Sequence, residues 1–143
     1  MTKDGMKYLR VVMLGIGLLG CAGCGNGKPA VAPVSGRVLY QGKPVKFGQV
    51  FFHPSGGTQG RGPIQPDGTF TLSTYGDKDG AQIAKHTVRV TCYEVQDPNA
   101  DPKRLGSSNG KSLIPEKYAS LTTTDLSEEV KAGPNTFEIV LKD

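Results

Sequence analysis

The chain is 143 residues long and carries 17 Lys+Arg against 13 Asp+Glu, a formal charge of +4. That length leaves room for about one domain and excludes a large multidomain enzyme. Twenty glycines and ten prolines without a fixed period exclude collagen and point to a turn-rich β protein, while the near-balanced charge argues against wholesale disorder.

Residues 1–20 read as a targeting segment. Lys3, Lys7 and Arg10 make a positive start, and residues 11–19 are uncharged and mostly apolar. Nine such residues are too few to remain as a spanning helix, but they have the proportions of a secretory signal. The series Leu18-Leu19-Gly20-Cys21 resembles the lipobox of bacterial lipoproteins. The resemblance implies cleavage before Cys21 and a lipid on its sulfur, with Cys24 as the alternative. Two or three acyl chains then hold a protein durably on a bilayer, at about 0.8 kcal/mol per buried CH₂. Ala22 follows, with no Asp to resemble an inner-membrane retention signal, so the expected address is the outer membrane, facing the periplasm or the surface. Gly15, Gly17 and Gly20 also match G-x-G-x-x-G, but they lie in the segment expected to be removed and lack the strand and helix that motif needs.

Residues 21–33 hold the lipidated Cys and a Gly/Pro/Ala-rich stretch that reads as a flexible tether. From 34 to 143 the pattern is that of short strands. Residues 34–40 alternate, with Val34, Val38 and Tyr40 on one face. A turn at 41–44 leads to a strand at 49–53 with Val50 and Phe52 inward, and then to a Gly-rich loop at 54–62. A short strand near 62–65 precedes the Pro66-Asp67-Gly68 turn. Residues 69–74 point Phe70 and Leu72 inward, and 75–84 read as a polar loop. The longest strand spans 85–95, with His86, Val88, Val90 and Cys92 on one face and Arg89 and Tyr93 on the other. A polar excursion at 96–112 returns through 113–120. Strands at about 126–131 and 135–142 close the chain, the last with Phe137, Ile139 and Leu141 inward. Some seven short strands without a helical stripe predict an all-β sandwich.

The series Val34-x-Gly36-x-Val38, Gly42-Lys43-Pro44, Asp67-Gly68-x-Phe70-x-Leu72, His86-x-Val88-x-Val90, Pro115-x-x-Tyr118 and Asn135-x-Phe137-x-Ile139 resembles the carboxypeptidase regulatory-like domain. That domain is a transthyretin-like sandwich, and single-domain lipoproteins of this kind are common in planctomycete bacteria. Ala84 departs from the family, which often has Gly there. The resemblance implies a seven-stranded Greek-key domain over 34–143 and no reaction of its own. Within the pattern, Gly36 is expected to serve a bulge or close packing, and Asn135 a turn that tolerates positive φ.

Candidate chemistry is sparse. His53 and His86 are the only histidines. His86 reads as core-facing and His53 as a surface residue, and a metal pair or a small hydrolase would need them to meet in space. The tail Ile139-Val140-Leu141-Lys142-Asp143 lacks the Tyr-Arg-Gly-Ser ending of the transthyretin-like hydroxyisourate hydrolases. Asp77-Lys78-Asp79-Gly80 resembles the start of a calcium loop, but the residues after it supply no ligands. Gly110-Lys111-Ser112 ends like a phosphate loop without its first Gly. Cys92 reads as a buried small apolar residue, with a bridge to Cys24 as the alternative. No catalytic residue, metal or cofactor is expected. The candidate ligand loop is Tyr75 with Asp77 and Asp79. The 17 basic residues less Lys3, Lys7 and Arg10 leave 14, and the 13 acidic less Asp4 leave 12, so half the excess charge belongs to residues 1–20. No nucleic-acid partner follows from the basicity. The function expected is a lipid-anchored, non-enzymatic envelope module for structure, adhesion or binding of a protein or glycan partner. A carbohydrate- or peptide-binding module using loops at one end is the alternative.

Overall fold

The computed structural model describes residues 27–94 and 110–143. Within them regular structure is almost entirely strand, with a single 3-10 turn at Glu116–Ala119. The strands are β1 (Val31–Ala32), β2 (Val34–Tyr40), β3 (Lys43–Pro44), β4 (Gln49–Pro54), β5 (Gly60–Pro63), β6 (Thr69–Thr71), β7 (Ala81–Gln82), β8 (Lys85–Thr91), β9 (Ser127–Glu129) and β10 (Asn135–Leu141).

In the first four-stranded sheet β2 is central. Parallel β10 lies on one edge, with Asn135 beside Val34 and Leu141 beside Tyr40. Antiparallel β6 and β3 share the other edge end to end, β6 against residues 35–37 and β3 against residues 39–40. The second sheet runs β5-β4-β8-β9, antiparallel throughout. Arg61 of β5 also bridges Ser73, so the chain leaving β6 passes from the first sheet to the edge of the second. β1 and β7 form a separate two-stranded sheet.

Period-two alternation gives each large sheet one apolar face. Val34, Val38, Phe70, Ile139 and Leu141 come from the first, and Val50, Phe52, Val88 and Val90 from the second; all are buried. The Phe52 ring lies 6.4 Å from that of Phe70 and 5.6 Å from that of Phe137, so the two inner faces share one core. Each such side chain contributes about 1.5–3 kcal/mol on burial. The all-β, sandwich-like architecture expected from the alternation is therefore present.

Gly36 is where close packing is needed. A Cβ there would lie 2.1 Å from the Phe137 carbonyl oxygen and 2.8 Å from the Phe70 ring. The turn before β10 works differently from the expectation. The positive φ belongs to Gly133 (89°). Asn135 instead clamps the turn through its side chain: its Nδ2 donates to the carbonyls of Lys131 and Gly133, and its Oδ1 accepts from the Lys131 N–H.

Tyr118, on the 3-10 turn, anchors residues 113–120 as the expected return. It is buried, its hydroxyl donates to the Lys142 carbonyl at 2.9 Å, and it accepts the Lys142 N–H at 2.8 Å.

Several boundaries move. Val31 and Ala32, read as tether, pair with Gln82 and Ala81, and Ala32 is buried. The stretch 75–84, read as a loop, thus contains a strand. β5 begins at Gly60, inside the segment read as a Gly-rich loop, because its inward positions are Gly60 and Gly62, which have no side chain to register in an apolar pattern. Described pairing of β8 ends at Thr91, with Tyr93 bridging Ser112 beyond it. Residues 1–26 lie outside the described residues, so Cys21, Cys24 and the targeting segment do too, as does most of the excursion at 96–112.

Candidate functional site

The loop carrying Tyr75, Asp77 and Asp79 folds around its own carboxylate. The N–H groups of Thr74, Tyr75 and Gly76 converge on Asp79 at 2.7–2.9 Å. Burial pushes the Asp79 pKa up, but these donors outweigh it and hold the group below its ordinary value. Asp79 is thus occupied in shaping the turn. Tyr75 faces the N-terminal stretch, with the Lys28 ammonium 5.1 Å from its ring centroid.

Asp77, by contrast, borders a cleft of about 360 Å³ with Lys78, Ser73, Thr69, Thr71 and Gln65. A shallower groove of about 490 Å³ adjoins it across the outer face of the first sheet, where Ser35, Thr69, Thr71 and Thr136 surround the cross-strand pair Arg37 and Glu138. Of the three loop residues, one therefore meets an open polar surface, and that surface is rich in hydroxyls.

The two histidines do not meet. His53 pairs with Thr87 and His86 with Pro54 in adjacent rungs, which sends the two side chains to opposite faces of the second sheet. His86 is 2% exposed and its ring lies 5.5 Å from that of Phe52. Its Nε2–H donates to the Gln82 carbonyl at 2.7 Å, leaving Nδ1 an unpartnered buried acceptor. Glu128 stands directly opposite on β9, and burial pushes its carboxyl pKa up. Cys92 is buried, which pushes its thiol pKa up and away from nucleophilic use. Among the described residues no group of three or more His, Cys, Asp or Glu could hold a metal ion, and no helix is long and apolar enough to cross a membrane.

On the outer face His53 joins a cluster that was not legible in the chain. Phe51 stacks on His53 at 6.2 Å, the Arg89 guanidinium lies 4.3 Å over the Phe51 ring, and Arg89 Nε donates to His53 Nε2 at 3.4 Å. Arg89 also donates to the Ala119 carbonyl at 3.1 Å. Burial, then the neighbouring Arg89 charge, lowers the His53 pKa, so the imidazole stays neutral beside the guanidinium. Arg89 and His53 were each visible as outward residues; that they meet beside Phe51 appears only once the register between β4, β5 and β8 is known.

The chain matches no protein-family profile, no curated protein and no solved structure.

Proposed function

We propose that the protein is a lipid-anchored, non-enzymatic module of a bacterial cell envelope that binds a protein or glycan partner. The observation that carries the reading is the order of features at the N-terminus: Lys3, Lys7 and Arg10, the apolar run at 11–19, then Leu18-Leu19-Gly20-Cys21. Lipid on Cys21, or on Cys24 in its place, holds the domain at the membrane, with the outer membrane as its address. The stretch from Cys21 to β1 spans ten residues, so the domain sits within roughly 35 Å of the bilayer surface.

The domain itself is read as a carboxypeptidase regulatory-like, seven-stranded Greek-key sandwich. The two sheets closing over one apolar core support this, as does the Asp67-Gly68 turn. There Asp67 Oδ1 accepts from the Thr69 N–H, and Gly68 takes a φ of 84°. A non-enzymatic role draws support from the geometry of the reactive side chains. The hydrolase reading required His53 and His86 at one site, and they occupy opposite faces of a sheet. A carbohydrate- or peptide-binding role at the loop end is the second reading, favoured by the hydroxyl-rich cleft beside Asp77.

Metabolic labelling with a palmitate analogue tests the anchor. Wild type is expected to take label and fractionate with membranes, and Cys21→Ser to lose both. Label that survives Cys21→Ser but not Cys24→Ser moves the anchor to Cys24, and an unlabelled wild type refutes it.

A further inference from the structure

The outer face of the second sheet carries charge that the described residues leave unneutralised. In one cross-strand row, Arg61 of β5, Phe51 of β4 and Arg89 of β8 stand side by side. Side chains directly opposite in antiparallel pairs share a face, so both arginines leave the sheet beside Phe51, and the Arg89 guanidinium lies 4.3 Å over its ring. Neither makes an ion pair among the described residues. Arg89 is half-buried and spends its recorded side-chain hydrogen bonds on two neutral acceptors, the His53 imidazole and the Ala119 carbonyl. A partly desolvated guanidinium held by neutral acceptors retains the capacity to take a carboxylate or sulfate in a charge-assisted pair. The flanking rows bring Gln49 with Thr91, and His53 with Thr87; none of these four is acidic.

We infer that this row is a binding site for an acidic saccharide, a sugar bearing a carboxylate or sulfate. The two guanidiniums would take the oxyanion, with Phe51 backing Arg89, and Thr87, Thr91 and Gln49 would supply hydroxyl and amide partners. The position in the sheet favours a saccharide over an acidic peptide. β4 is paired along both edges, so no main-chain groups are free there for an extended peptide to use. The site does not depend on the anchor and holds whether or not Cys21 carries lipid.

The test is binding of the full chain, purified in detergent, to a uronic-acid oligosaccharide, a sulfated oligosaccharide and a neutral oligosaccharide of equal length. Calorimetry at low and at physiological salt reads the affinity. Binding of at least one acidic sugar, absence of the neutral one, and weakening with salt are expected. Arg61 is exposed, so Arg61→Gln leaves the fold intact and is expected to weaken binding about tenfold. Arg89→Lys keeps the charge but not the planar fork, and is expected to weaken it by a similar factor. Lys43→Gln, on β3 of the other sheet, is expected to change nothing. Equal binding of the neutral sugar, or unchanged affinity in both arginine variants, overturns the site. So does equally tight binding of poly-glutamate or of sugar-free vesicles of anionic phospholipid, because the saccharide is then not what is recognised.

Discussion

Inward, the two four-stranded sheets carry the same kinds of residue: Val34, Val38, Phe70 and Ile139 on one, Val50, Phe52, Val88 and Val90 on the other. Outward they part company. The first sheet presents Ser35, Thr71, Thr136 and Glu138, exposed side chains on an open groove. The second presents Phe51, His53, Thr87 and Arg89, all half-buried and several in contact with one another. The packing of residues 110–121 accounts for part of the difference, because the Ala119 carbonyl reaches Arg89 and the Tyr118 hydroxyl reaches Lys142 on the other sheet. A sandwich can thus hold its core to one rule while each outer face is shaped by whichever connection crosses it.

Four changes probe that contrast, and the largest effect belongs to the shared core. Phe52→Ala removes the ring that touches Phe70, Phe137 and His86. It is expected to cost about 4 kcal/mol in urea denaturation. Hydrogen exchange should rise in both sheets together; loss of protection in one sheet alone would mean that they are not two faces of a single core. Arg89→Ala should cost about 1–2 kcal/mol, because it strips the cover from Phe51 and a donor from His53 and Ala119.

Asp79→Ala removes the acceptor of three N–H groups and is expected to cost about 1–2 kcal/mol at neutral pH. The sign of its pH dependence follows from a folded-state pKa below the ordinary 3.8. The stabilisation is complete above the unfolded value and disappears as pH falls through the folded one. Wild type and variant should therefore converge in acid, as followed by the thermal midpoint from pH 7 to pH 2. The smallest effect is expected of Thr136→Ala on the hydroxyl face, within about 0.5 kcal/mol of wild type. A cost there as large as that of Arg89→Ala would erase the distinction between the two faces.

Strands rich in alternating apolar residues were legible from the chain alone. Residues 34–40, the region of 49–54 and 135–141 needed only the period-two pattern, and the Asp67-Gly68 turn announced itself by residue type. β1, β7 and the first half of β5 were not legible, for a common reason. Each is two to four residues long, and the inward positions of all three are Ala or Gly, namely Ala32, Gly60, Gly62 and Ala81. Burial of small residues leaves little hydrophobic signal, and register decides such strands instead. The parallel pairing of β10 with β2 is likewise a property of register, since alternation reads the same in both directions. The Arg61–Phe51–Arg89 row was hidden for that reason, its three members lying ten to thirty-eight positions apart along the chain.

The two-residue clip of β1 on β7 has a mechanical consequence. Traction on the N-terminal stretch reaches Ala30, whose carbonyl holds the Ile83 N–H, and then the β1–β7 pairs. Gly80 locks against the same place, since a Cβ there would lie 1.7 Å from the Ala32 carbonyl oxygen. Only Pro33 separates this clip from β2, which would be pulled along its own axis beside parallel β10. A ladder loaded in that direction shears, sharing force among its hydrogen bonds, whereas one peeled from an end yields bond by bond. The short clip would then act as a fuse that opens first, and the seven-residue ladder behind it as the part that bears the load.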